Sequence, residues 1–141
     1  MKLQSFYYAR TKSGNAQAIA EKIAREYKLK ADQIPPAYQP EREAIVFLTF
    51  DSGKVDSKLR SFCRSLTPNK ARNVALAVIG PNDEGLDELT ALIETTGVNV
   101  LNNVYRVNVK TGLFSKGKIS DEQLEGSLKW ASDNIAFVEN A

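Results

Sequence analysis

The chain has no histidine and a single cysteine, Cys63, among its 141 residues. These shortages exclude most of the side-chain chemistry used near neutral pH. Zinc sites of the Cys/His kind, haem ligation by histidine, and Ser-His or Cys-His nucleophilic pairs all lack their parts. What remains is a carboxylate-rich cation site, or chemistry supplied by backbone groups and a bound cofactor. A lone cysteine cannot form an internal disulfide, which suits a reducing compartment. Cys63 also falls on the apolar stripe of an expected helix, where it serves packing and not reactivity.

Charge of one sign is not in excess either: 19 Lys and Arg stand against 17 Asp and Glu, a net charge of +2. No Lys/Arg cluster interleaved with aromatics dominates any segment, so nucleic-acid binding is not expected. Long apolar runs are missing too. The longest, such as Ala44 to Phe50 and Val74 to Ile79, fall far short of the roughly 20 residues needed to cross a bilayer, and no membrane span is expected. Met1-Lys2-Leu3 leads into Gln4 and Ser5, not into the apolar core of a signal peptide, so the expectation is a cytoplasmic protein beginning here. An apolar fraction of 43% fits one globular domain over 1–141. A monomer or weak dimer is expected.

The segments that are present alternate in kind. Leu3 to Ala9 reads as a strand running into the turn-forming loop Arg10-Thr11-Lys12-Ser13-Gly14-Asn15. Ala16, Ile19, Ala20, Ile23, Ala24 and Tyr27 then form one apolar helical stripe, with Ser13 or Asn15 as its cap. Ala31 to Ile34 has room for a short strand before Pro35, Pro36 and Pro40 leave a plain connection. Ala44 to Phe50 is apolar without alternation, as in a strand covered on both faces. Asp56 opens a helix carrying Leu59, Phe62, Cys63 and Leu66. Asn73 to Gly80 reads as a second buried strand, and Leu86, Leu89, Leu92 and Ile93 mark a helix stopped by Gly97. Val98 to Lys110 reads as a strand with one wet face, with Tyr105, Val107 and Val109 alternating against Arg106, Asn108 and Lys110. A Ser120-x-x-Gln123 capping box starts a last helix with the stripe Leu124, Leu128, Ala131 and Ile135, and Trp130 lies off it to cover a seam.

This order, β-α-β-β-α-β-α-β-α, implies an α/β doubly wound parallel sheet with one crossover helix shortened or missing. Ligands of such sheets bind beyond the carboxyl ends of the strands where the strand order reverses, so the loops at 10–15, 50–54 and 80–85 are expected to line one site. The first loop carries the chemistry. Thr11 and Ser13 offer hydroxyls, Gly14 lets the backbone approach, and Asn15 can donate or cap, beside a helix start that favours negative charge. The same residues also make an ordinary helix start.

Phe6-Tyr7-Tyr8-Ala9-Arg10-Thr11-Lys12-Ser13-Gly14-Asn15-Ala16 resembles the first loop of the flavodoxin family, Thr-x-Thr-Gly-Asn-Thr after a hydrophobic strand. Ala16 stands where the family has a last hydroxyl. The resemblance implies a flavodoxin-like three-layer sandwich with a five-stranded parallel sheet, and FMN held for electron transfer. It places the phosphate on Thr11, Ser13, Gly14 and Asn15, with Arg10, Lys12 and Ala16 bordering, and the ring near Thr49, Phe50, Asp51, Ser52, Gly80 and Asn82. The redox partner is unspecified, and service to a ribonucleotide-reductase metallocofactor is a specialised version. Phe50 is the one aromatic in the second loop and the third has none. The alternative is a non-redox interaction domain of this fold that has lost flavin.

Neighbouring readings fail on particular residues. No Gly-x-x-x-x-Gly-Lys-Ser/Thr phosphate loop and no three-glycine dinucleotide fingerprint is present. A receiver domain would have an acidic pair where Ala9-Arg10 stands, although Asp51 occupies its phosphorylation position. Low-molecular-weight tyrosine phosphatases place a cysteine in the first loop. Asp51, Asp83 and Glu84 are expected to serve loop ends and helix starts, not a cation.

Overall fold

The computed structural model describes residues 1–109, 111–112 and 115–141. Its central sheet contains β1 (Leu3–Tyr8), β2 (Asp32–Gln33), β3 (Glu43–Asp51), β4 (Ala71–Ile79), β5 (Asn99–Val100) and β6 (Tyr105–Val107). The order is β2-β1-β3-β4-β5, with β6 also paired to β4, and every pairing is parallel. This is the flavodoxin-like strand order, with its reversal between β1 and β3. A two-stranded antiparallel hairpin, β7 (Thr111–Gly112) with β8 (Ser115–Lys116), follows.

Four helices complete the three layers: α1 (Asn15–Glu26), α2 (Ser57–Ser65), α3 (Glu84–Thr95) and α4 (Asp121–Glu139). On one face α1 and α4 enclose Tyr7, Ile19, Ile23, Phe47, Ala75 and Trp130. On the other α2 and α3 enclose Phe6, Leu48, Phe50, Phe62, Leu76 and Leu89. Each fully buried side chain of this size stabilises the fold by roughly 1.5–3 kcal/mol. The connection from β2 to β3 has no helix, as its prolines require.

The capping residues act as their types predict. Asp56 accepts from the Lys58 N–H at 3.0 Å, and Ser120 and Gln123 form the reciprocal capping box. Gly97, at φ +89, lies just beyond the last turn of α3.

Three expectations need correction. The fifth strand is interrupted, because the Asn103 carbonyl accepts from Trp130 Nε1 at 2.6 Å and from Asn134 Nδ2 at 3.3 Å instead of joining the ladder. Its alternation survives in part: Val107 is buried, Arg106 and Asn108 are exposed, and Lys110 lies outside the described residues. The buried face of α4 is Ser127, Trp130, Ala131 and Asn134, while Leu124, Leu128 and Ile135 are half-buried. Trp130 sets that rotation by packing edge-on against Phe47, at a centroid distance of 5.5 Å, and stacking on Tyr105 at 5.9 Å. Gly126 admits the Tyr105 hydroxyl, which would lie 2.5 Å from a Cβ there and which donates to the Gln123 carbonyl. Finally, the α1 cap is neither Ser13 nor Asn15 but Gly14, in the left-handed region at φ +78.

Candidate functional site

At the carboxyl ends of β1, β3 and β4 lies a cleft of about 610 Å³. Its volume suits a small-molecule ligand. The expected loops meet here: Arg10, Thr11 and Ser13 from the first, Asp51 and Ser52 from the second, Gly80 and Pro81 from the third.

The first loop is held together by hydroxyls. Thr11 Oγ1 and Ser13 Oγ share a hydrogen bond of 3.0 Å, and Ser13 Oγ accepts from the Asn15 N–H at 3.3 Å. Because Gly14 occupies the N-cap, no side chain caps α1 from that position. The first-turn N–H groups point out of the helix end, where the helix dipole favours an anion. A Cβ on Gly14 would meet nothing within 4 Å, so glycine is required here by its positive φ and not by crowding.

The Asn15 side chain is buried at the wall of the cleft, and both of its polar atoms are engaged. Its Nδ2 donates to the Gly117 carbonyl at 2.7 Å and its Oδ1 accepts from the Ile119 N–H at 2.9 Å. Lys118 Nζ, between them, donates to the Ser13 carbonyl. Ala16 is buried against the sheet, and Lys12 is exposed on the loop surface.

The second and third loops pack on each other. Asp51 Oδ2 accepts from the Arg10 N–H at 3.2 Å, and Arg10 Nη1 donates to the Ser52 carbonyl at 3.4 Å. Partial burial pushes the Asp51 carboxyl above the usual carboxylate value, against the bonds from the Arg10 and Thr11 N–H groups and the Arg10 charge. A Cβ on Gly80 would lie 1.9 Å from Ser52 Oγ, and one on Gly85 would lie 2.6 Å from the Gly53 carbonyl oxygen. These glycines permit the close approach of the two loops.

Several residues expected at the ring position are elsewhere. Phe50 is 1% exposed within the α2/α3 core and Thr49 is fully buried, so both side chains lie beneath the cleft. The Thr49 hydroxyl has no hydrogen-bond partner among the described residues. Asn82 Oδ1 accepts from the Glu84 N–H at 3.2 Å and serves the start of α3. Asp83 pairs with Arg106 at 3.2 Å, and no cluster of three potential metal ligands occurs among the described residues. Cys63 is buried and its thiol is pushed up to about 12 by desolvation.

Sequence reasoning missed a fourth wall, made by Asn108, Val109 and Gly117. The Val107 carbonyl accepts from the Gly80 N–H at 2.9 Å, and Asn108 is fixed through its carbonyl by Gln123 Nε2 at 2.8 Å. The only available signal was the alternation through Val109, which marks a strand but not its proximity to the first loop.

The chain matches no protein-family model and no curated protein. The strand order and the three layers make it a flavodoxin-like α/β sandwich. Among the described residues no helix is long and apolar enough to cross a membrane.

Proposed function

We propose that this protein binds FMN non-covalently and acts as a flavodoxin-like electron carrier. The observation that carries the reading is the location of the 610 Å³ cleft, at the strand-order reversal and beside a helix start whose N-cap is a glycine. A phosphate joined to a flat ring calls for N–H and hydroxyl donors together with apolar surface, and the cleft lining holds both. Thr11, Ser13, Gly14 and the first-turn N–H groups of α1 would hold the phosphate. Ile79, Pro81 and Val109 supply apolar contact for the ring, and Ser52 and Asn108 supply polar contact. FMN, when bound, supplies the one- or two-electron chemistry.

The chain's part is to bind, orient and shield. Arg10 ties the first loop to the second through Asp51 and the Ser52 carbonyl, which fixes the width of the cleft between them. Asp51 is the one acid lining it among the described residues. Electron transfer needs no side-chain general acid, which suits a chain without histidine. The test is the visible absorption spectrum after mixing with excess FMN and gel filtration. Flavin bands co-eluting at about one per chain support the carrier reading.

A second reading is favoured by the burial of Phe50, which leaves no aromatic lining the cleft among the described residues. In that reading the fold is an interaction domain without flavin. A colourless protein after the same experiment would select it.

A further inference from the structure

Four exposed cations stand on the segments bordering the cleft. Arg10 and Lys12 lie on the first loop, Lys54 on the second, and Lys118 just before α4, and all four are exposed. They border one opening: Arg10 Nη1 would lie 2.9 Å from a Cβ on Gly53, next to Lys54, and Lys118 reaches the Ser13 carbonyl. None forms an ion pair among the described residues, whereas Lys2, Lys22, Arg60, Arg106 and Lys129 all do. Of the nearby carboxylates, Glu84, Asp121 and Glu122 are exposed in the first turns of α3 and α4, where the helix dipoles hold negative charge, and the others are engaged. Asp51 accepts from the Arg10 N–H, Asp56 caps α2, and Asp83 pairs with Arg106.

We infer that this rim is a docking surface for an acidic face of a partner protein. The inference rests on the carrier reading, since a protein that passes electrons must bring a partner to the mouth of its cleft. Unpaired like charges around one opening create a local potential that concentrates and orients oppositely charged partners, and its reach is about 8–10 Å at physiological salt. A charged rim of this kind raises the association rate and makes it salt-dependent. Nucleic acid is the less suitable polyanion. Among the described residues the exposed large hydrophobic side chains are Met1, Tyr38 and Phe137, none of which lines the cleft, so these residues supply no aromatic platform for base stacking beside the cations.

The test uses the full chain and two fluorescent probes, a deca-aspartate peptide and a single-stranded DNA decamer. Fluorescence anisotropy is followed from 20 to 200 mM salt, with amide NMR shifts to locate the site. The expected result is peptide binding that weakens at least tenfold over that range, with shifts concentrated at Arg10, Lys12, Lys54 and Lys118. Lys54→Glu with Lys118→Glu should weaken peptide binding at least fivefold. Lys28→Glu with Lys30→Glu, the same charge change beyond the far end of α1, should leave it within twofold. No peptide binding at 20 mM salt, equal loss in both double variants, or tighter binding of the DNA would each overturn the inference. Flavin retention is read by absorbance on the same samples. Loss of retention overturns the carrier reading, whereas retained flavin without peptide binding overturns only the docking surface.

Discussion

The Asn15 carboxamide and the Gly117 carbonyl, 102 positions apart in sequence, are joined by a 2.7 Å hydrogen bond that fastens the first loop to the segment before α4. With the return bond from the Ile119 N–H, one buried side chain satisfies two backbone groups. Asn15→Leu removes both partners and leaves a carbonyl and an N–H unpaired, a cost of about 1–3 kcal/mol for each group that stays buried. Urea unfolding should show that loss. Asn15→Asp keeps the acceptor but not the donor and adds a negative charge beside the anion position. On the proposed FMN reading it should therefore reduce flavin retention more, relative to its loss of stability, than Asn15→Leu does. Equal ratios for the two variants would show that Asn15 acts on retention only through folding.

Gly80 and Ser52 set the contact between the second and third loops. Gly80→Ala places a methyl group into the Ser52 side chain and forces a non-glycine residue to φ +133, so both crowding and backbone strain are expected. A loss of about 2–4 kcal/mol follows from the two effects together. Adding Ser52→Gly removes the obstructing side chain but not the strain, so the double variant should recover part of the loss. A double-mutant cycle in urea measures that coupling. Full recovery would mean that the backbone at Gly80 relaxes.

These loop contacts also show where sequence reading succeeds and stops. Ala44 to Phe50 declared a two-face-buried strand because it lacks polar positions, and β3 spans that run. The same lack hides which face each residue takes, so the resemblance sets Phe50 near a flavin ring although its side chain faces the α2/α3 core. Local hydrogen bonds were legible, as at Asp56 and the Ser120–Gln123 pair. Distant ones were not. The break in the fifth strand depends on Trp130 reaching Asn103, 27 residues earlier, and the fourth wall depends on Asn15 reaching Gly117. Helical periodicity found residues of α4 that do pack on the core, Leu124, Leu128, Ala131 and Ile135, but set Trp130 off the stripe, although this large side chain is among the most buried of the helix.

Cys63 should be chemically silent in the native protein. Its side chain is fully buried, and desolvation pushes the thiol to about 12, so almost none is thiolate at neutral pH. A thiol-specific chromogenic reagent should label it at a rate that tracks urea-induced unfolding. Fast labelling without denaturant would show that α2 opens locally away from the sheet. Cys63→Ser would bury a hydroxyl in the same apolar surroundings and should cost about 1–3 kcal/mol.

Asp51 gives a pH signature with a definite sign. Burial raises its folded carboxyl above the unfolded value, so its contribution favours folding most at low pH, where both states are protonated at this site. That contribution declines as pH rises through the unfolded value and then the raised folded one, and above this window the ionised side chain is a net burden. Asp51→Asn is uncharged at every pH. It should therefore be more stable relative to the wild type at pH 7 than at pH 3, by a margin that the hydrogen bond from the Arg10 N–H limits. Urea midpoints of both proteins between pH 3 and pH 7 test this. A variant that loses ground as pH rises would mean that the Arg10 and Thr11 N–H bonds outweigh desolvation and that the folded carboxyl lies below its ordinary value.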